Sequence, residues 1–202
     1  MRKIIVLSFI SLDGAMQAPG GPEEDKSGGF EYGGWTVPLS DENTGAEMVK
    51  QVTPPFDLLL GKKTYDIFAA YWPTADKTNP ITQAFDVAKK YVATDVDFEP
   101  TWVNTTLIQG DDVVEQIKKL KAEDGPDLQV HGSGNFIQTL LKNDLVDELW
   151  LKTFPVTLGK GKKLFEDGTV AASFKLTDSK VFPSGVIFAN YKRDGEVKTG
   201  SF

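Results

Sequence analysis

The sequence predicts an α/β domain in which a β-sheet is crossed by helices and closed by an antiparallel hairpin. Apolar strand-like runs alternate with helix-like segments through most of the chain. Two of those strands run through glycine straight into a helix, at Phe56–Thr64 and at Leu128–Phe136. The last part of the chain carries two strand-like runs around Pro183-Ser184-Gly185, a turn signal.

The elements follow in order. Lys3 to Ile10 is the first strand. Met1-Arg2-Lys3 before an apolar stretch has the outline of a signal peptide, but Asp13 follows soon and no cleavage site closes the stretch. Gly14 to Pro38 is rich in Gly and Pro, and its length suggests a functional loop, the alternative being a disordered excursion. Ser40 is the expected N-cap of a helix to about Val52, with Met48, Val49 and Val52 on its buried side, ended by Pro54-Pro55. Phe56 to Leu60 is a strand interrupted by Asp57. Gly61 breaks it, and Thr64 to Tyr71 is a helix. A helix from Pro80 to Lys89 leads to the strand Tyr91–Ala93, and Trp102-Val103 is expected as a further extended piece. From Asp111, Val113, Ile117 and Leu120 keep helical spacing. Leu128 to His131 is a strand, Gly132-Ser133-Gly134 a turn, and Phe136, Ile137, Leu140 and Leu141 the buried face of a helix. Leu149–Leu151 begins the final strands, with Phe174–Leu176 and Lys180–Phe182 leading to the hairpin partner Val186–Tyr191.

With 202 residues the chain suits one core, so residues 1–193 are expected as a single domain and 194–202 as a fraying polar tail. No apolar run approaches the roughly 18 residues of a membrane span. The absence of cysteine excludes disulfides and thiolate chemistry and points to a reducing compartment, the cytoplasm. A net charge of −7 argues against general nucleic-acid binding. An anionic ligand must therefore meet local lysines, of which Lys62-Lys63 and Lys160/Lys162/Lys163 stand beside glycine.

Four constellations can carry chemistry. Gly61-Lys62-Lys63-Thr64 sits where a strand becomes a helix, whose free N–H groups and dipole suit phosphate, although an ordinary turn with solvated lysines uses the same residues. Its spacing is not that of a P-loop. Gly132-Ser133-Gly134-Asn135 repeats the arrangement, and Ile137 occupies the third glycine position of a dinucleotide fingerprint. The two turns would clamp one dinucleotide if their strands were neighbours. Asp13, in Ser11-Leu12-Asp13-Gly14-Ala15-Met16, is either a turn residue or a functional carboxylate, and Asp41 is first a helix cap. His131, the only histidine, is more naturally a packed residue than a ligand, which argues against a histidine triad or metal cluster and favours chemistry supplied by a cofactor.

In order and spacing, these motifs resemble the dihydrofolate reductase superfamily, and especially the C-terminal reductase domain of the bacterial riboflavin-biosynthesis protein RibD. The resemblance rests on Ser11–Gly14, Gly61–Asp66, Val130–Gly134, Asp147–Leu149 and Pro155–Gly161 before Leu164-Phe165. It implies a three-layer fold with a central, mostly parallel mixed sheet. It implies NADPH as cofactor, with Gly61, Lys62, Lys63 and Thr64 on its phosphates, Thr94 as a second adenosine-phosphate contact and Gly132, Ser133 and Gly134 on the pyrophosphate. Ser11, Asp13 and Met16 would lie at the nicotinamide end, and the Gly159–Gly161 loop would close over bound ligands. The pterin-binding acid of dihydrofolate reductases falls on Ser40, with Asp41 one residue late, so dihydrofolate reduction is not implied. The expected reaction is hydride transfer to a C=N or C=O bond of a small heterocycle, the riboflavin-type aminouracil ribosyl phosphate leading, with protons from water, Asp13 or Asp41. Alternatives are a dihydrofolate- or pteridine-type reductase, a non-catalytic nucleotide-binding module and a purely structural interaction protein. A homodimer through the aromatic-rich C-terminal hairpin is the expected assembly.

Overall fold

Period-two alternation along the strands decides which layer each side chain enters. In a computed structural model, which describes residues 1–167 and 169–201, β1 (Ile4–Ser11) leads through the long loop to α1 (Glu42–Gln51). There follow β2 (Phe56–Gly61), α2 (Lys62–Tyr71), α3 (Pro80–Val87), β3 (Lys90–Ala93), β4 (Thr105–Ile108) and α4 (Val113–Ala122). The chain then forms β5 (Asp127–Val130), α5 (Gly134–Lys142), β6 (Glu148–Phe154), β7 (Phe174–Val181) and β8 (Ile187–Arg193). The eight strands form one sheet in the order β4-β3-β2-β5-β1-β6-β8-β7. Every pairing from β4 to β6 is parallel, and β8 joins β6 and β7 antiparallel.

On one face Ile4, Val6, Leu59, Leu128, Val130 and Leu149 meet Ile117 and Leu120 of α4 and Ile137, Leu140 and Leu141 of α5. On the other, Ile5, Leu7, Leu58, Leu60 and Val92 meet Tyr65 of α2 and Ala84 and Phe85 of α3. An aromatic cluster of Trp35, Phe154, Phe182 and Phe188 extends that second face under the long loop. Helices on both faces explain why the central strands read as nearly continuous apolar runs.

Several local expectations are corrected. Asp41, not Ser40, caps α1: Ser40 spends its hydroxyl on Thr36 O at 3.0 Å, while Asp41 and Thr44 form a reciprocal capping box. Met48 and Val49 are only half-buried; Val52 is buried. α2 starts at Lys62, directly off β2. Trp102-Val103 is not a strand. Trp102 is a core residue in a turn, its N–H donating to Tyr65 Oη at 3.0 Å, and the strand is Thr105–Ile108. The long loop is folded, with 3-10 turns at Ser27–Gly29 and Val37–Leu39, and Trp35 Nε1 donates to Gln17 O at 2.8 Å. The start of the tail extends the hairpin through Asp194 and Gly195 to Ser173. Residues 196–201 are exposed and in no helix or strand, and Phe202 lies outside the described residues.

Asp57, the interruption in β2, has a structural reason. Its carboxylate pairs with the buried Arg2 guanidinium and accepts the Lys89 N–H at 3.1 Å, while Arg2 Nε donates to Pro126 O at 2.6 Å. One ion pair thus ties the chain start to β2 and to the entries of β3 and β5. Removing one partner strands the other charge, so Asp57→Ala should cost about 3 kcal/mol or more in urea unfolding at neutral pH. The Arg2→Met/Asp57→Leu double variant should recover most of it, because an apolar pair replaces the ion pair without an orphan charge.

Candidate active site at the carboxyl ends of the parallel strands

β2 and β5 are neighbours in register, so the two strand-glycine-helix turns come together. The Gly61 N–H donates to Gly132 O at 3.2 Å, and Ser133 Oγ accepts the Thr64 N–H at 3.2 Å, with Thr64 Oγ1 3.3 Å away. A Cβ on Gly61 would fall 2.7 Å from Ser133 Oγ, and one on Gly132, at φ +153°, 2.3 Å from Thr64 Oγ1. Neither turn tolerates a side chain for that reason. The Gly132–Ser133 peptide is cis.

The helix starts here differ from the rest of the fold. α1, α3 and α4 are capped by their own Asp41, Asn79 and Asp112, whereas α2 and α5 have no side-chain cap from their N-cap residues. Ser133 satisfies one α2 donor from across the gap. The remaining first-turn N–H groups and the two aligned dipoles make this edge of the sheet attractive to anions.

Around this centre the expected residues assemble unevenly. Met16 reaches the start of α5, its Sδ 3.8 Å from where a Gly134 Cβ would stand. Thr94, at the end of the strand beside β2, is buried and turns its hydroxyl to Val96, accepting that N–H at 3.0 Å. Lys62 pairs with Asp66 at 2.7 Å and lies over the Phe98 ring. Lys63 pairs with Asp25 at 2.7 Å, and the other Asp25 oxygen meets Lys162 at 2.8 Å. Burial works against the Asp25 charge, but hydrogen bonds from Lys162, Lys63 and Ser27 hold its carboxyl well below the usual range. Asp25 therefore clasps the long loop onto both α2 and the segment after β6. Lys160 adds contacts to Gly29 O at 2.9 Å and Glu31 at 3.1 Å. A cavity of about 230 Å³ remains among Gln17, Ser27, Gly28, Phe30 and Lys160–Lys162.

The two carboxylates expected as proton donors have other work. Asp13 accepts from Ser11 Oγ at 2.6 Å and from the N–H groups of Leu158 at 3.1 Å and Gly159 at 2.8 Å, and these bonds lower its pKa to about 2. An acid ionised at neutral pH has no proton to donate. Asp41 is held below its ordinary range, first by the Thr44 N–H it caps. His131 is held neutral, its pKa lowered to about 3 by burial and then by the Lys152 charge; its ring packs on Phe68 and Phe85 and its Nε2 lies 3.2 Å from Gln129 Oε1. Nothing in the sequence marks Asp25, because a loop carboxylate has no periodic context. Lys152 is marked by its setting, a charge inside the apolar run of β6.

Comparisons with known proteins agree with this architecture. A sequence model of the RibD C-terminal domain matches residues 2–188. Uncharacterized protein YyaP of Bacillus subtilis (strain 168) is 28% identical over 198 residues, 96% of each chain. Among solved structures, a putative riboflavin biosynthesis protein from Shewanella sp. PV-4 superposes with a TM-score of 0.70 at 24% identity, covering 95% of this chain and 99% of that one. A dihydrofolate reductase from Enterococcus faecalis, complexed with NADP(H) and RAB-propyl, gives a TM-score of 0.59 at 14% identity over 95% and 96% of the chains. The fold is dihydrofolate reductase-like α/β.

The close approach of the two turns is testable. Gly132→Ala should cost about 1–3 kcal/mol by overpacking. Adding Thr64→Ala should restore part of it, since the clashing Oγ1 is gone while the positive φ remains; chemical denaturation of both variants checks this.

Proposed function

The chain belongs to the RibD C-terminal domain family, and we propose on that premise that it is an NADPH-dependent reductase. It would deliver hydride to a C=N or C=O bond of a small heterocyclic acceptor, with 5-amino-6-(5-phosphoribosylamino)uracil the leading candidate. Family membership supports an oxidoreductase of reductase type. The observation that carries the finer reading is the pair of contacting turns, where α2 and α5 begin side by side without their own caps. Two such helix starts suit the phosphates of one dinucleotide.

Bound NADPH would supply the hydride. Gly132, Ser133 and Gly134 would hold the pyrophosphate at the start of α5, with Gly61 and Thr64 alongside. Lys62 and Lys63 would exchange Asp66 and Asp25 for cofactor phosphate. The Lys62–Asp66 exchange is cheap because that pair is partly exposed, and such pairs are worth about 1 kcal/mol or less, while Asp25 keeps Lys162 and Ser27 when Lys63 leaves it. Thr94 would face the adenosine end, and Ser11 and Met16 the nicotinamide. With Asp13 and Asp41 engaged elsewhere, water delivers the proton, and orientation of donor and acceptor provides most of the rate. The cysteine-free composition suits the cytoplasm; among the described residues no helix is long and apolar enough to cross a membrane.

NADPH should bind at least about tenfold more tightly than NADH, and Lys62→Ala/Lys63→Ala should abolish that preference in fluorescence titrations. Equal binding of the two by wild type overturns the lysine roles. Oxidation of NADPH with aminopyrimidines or pterins establishes turnover, whereas binding without oxidation across such a panel favours a nucleotide-binding module.

We further propose a homodimer through the C-terminal hairpin, on a different basis from its aromatics. Phe182 and Phe188 are buried against each other, but Leu176, Val181 and Ile187 are 49%, 71% and 40% exposed, and β7 is an open edge strand. Light scattering should give a dimer that Val181→Glu dissociates; a wild-type monomer at micromolar concentration overturns it.

A further inference from the structure

Lys152 is 3% exposed in β6, between Phe9 of β1 and Phe188 of β8 in register. Its Nζ stands 5.3 Å and 5.5 Å from the centroids of those rings. Among the described residues no carboxylate pairs with it and no oxygen accepts a hydrogen bond from it, and burial pulls its pKa down to about 7. The other buried lysine of this face is provided for: Lys90 lies over Trp102, donates to Asp86 O at 3.3 Å and feels the charges of Asp86 and Asp57. Packing does not require a cation at 152, since methionine would fill a similar volume. Without a carboxylate partner the charged form of the amine is costly, and burial accordingly weakens its hold on the proton.

Its position gives that cost a use. Lys152 lies opposite Phe9, two residues before Ser11 on the same face of β1, and its charge reaches His131 at the entry to the Gly132 turn. Phe9, Leu39 and Met48 pack on the aromatic cluster yet remain partly exposed. We propose that Lys152 is the acceptor-binding cation of the site, selecting planar acceptors that carry a negatively charged oxygen. The acceptor ring lies against Phe9, Leu39 and Met48, and its ionised oxygen supplies the counter-charge that the fold withholds. This assignment rests on the reductase reading of the same crevice.

Benzoate and benzamide, alike in shape and different in charge, test it by ligand-observed NMR titration of the NADP+-saturated protein. Benzoate should bind at least about tenfold more tightly, and Lys152→Met should bring the two within about twofold while leaving NADP+ affinity unchanged. Equal binding by wild type overturns the proposal, as does a preference that survives Lys152→Met. If Lys152→Met does not fold, Lys152→Gln takes its place in the same comparison. Failure of NADP+ to bind defeats the nicotinamide reading instead, and Lys152 is then decided by whether Lys152→Met removes the benzoate preference measured without NADP+.

Discussion

Between the carboxyl ends of β2 and β5, the backbone of one turn hydrogen-bonds the backbone of the other, and Ser133 reaches across to the first turn of α2. This approach requires glycine at 61 and at 132, where a methyl group would strike Ser133 or Thr64. The contact fixes where two helices begin, and hence where two dipoles and their unpaired N–H groups converge. The site depends on it, because Met16, the lysines and the long loop all gather around those two helix starts.

The parts of this arrangement written locally were legible in the sequence. Apolar alternation, Gly61 and Gly132 gave strands, breaks and helices near their observed places, and the hairpin turn at 183–185 was plain. The adjacency of β2 and β5 was not, because sheet order is set by packing between segments some 70 residues apart. Ser40 lost the cap to Asp41 because the preceding 3-10 turn claimed its hydroxyl. Trp102 imitated a strand because a core aromatic in a turn has the same composition as a short buried strand.

Charge is distributed with the same economy. Buried Asp57 has Arg2, buried Lys90 has Asp86 and Asp57 nearby, and Asp25 serves two lysines from different segments. The lysines expected to await a phosphate therefore hold carboxylates of the chain itself. Ligand affinity at α2 is set by competition between two anions rather than by attraction alone. Lys152 stands outside this economy, and nothing in the sequence near it marks the omission, since its potential partners would lie on other strands.

Asp13 ties Ser11 to Leu158 and Gly159 across 145 residues of chain, in a protein without cysteine. Its carboxyl is held at a pKa of about 2, so the tie is intact above the ordinary carboxylate range and releases only as pH falls toward that value. The chain has in effect a non-covalent cross-link, insensitive to thiols and oxidants and weakened when acid protonates its carboxylate. Where a disulfide would pin a first strand to a distant loop covalently, this chain uses a single carboxylate, a contact that oxidation and reduction leave untouched.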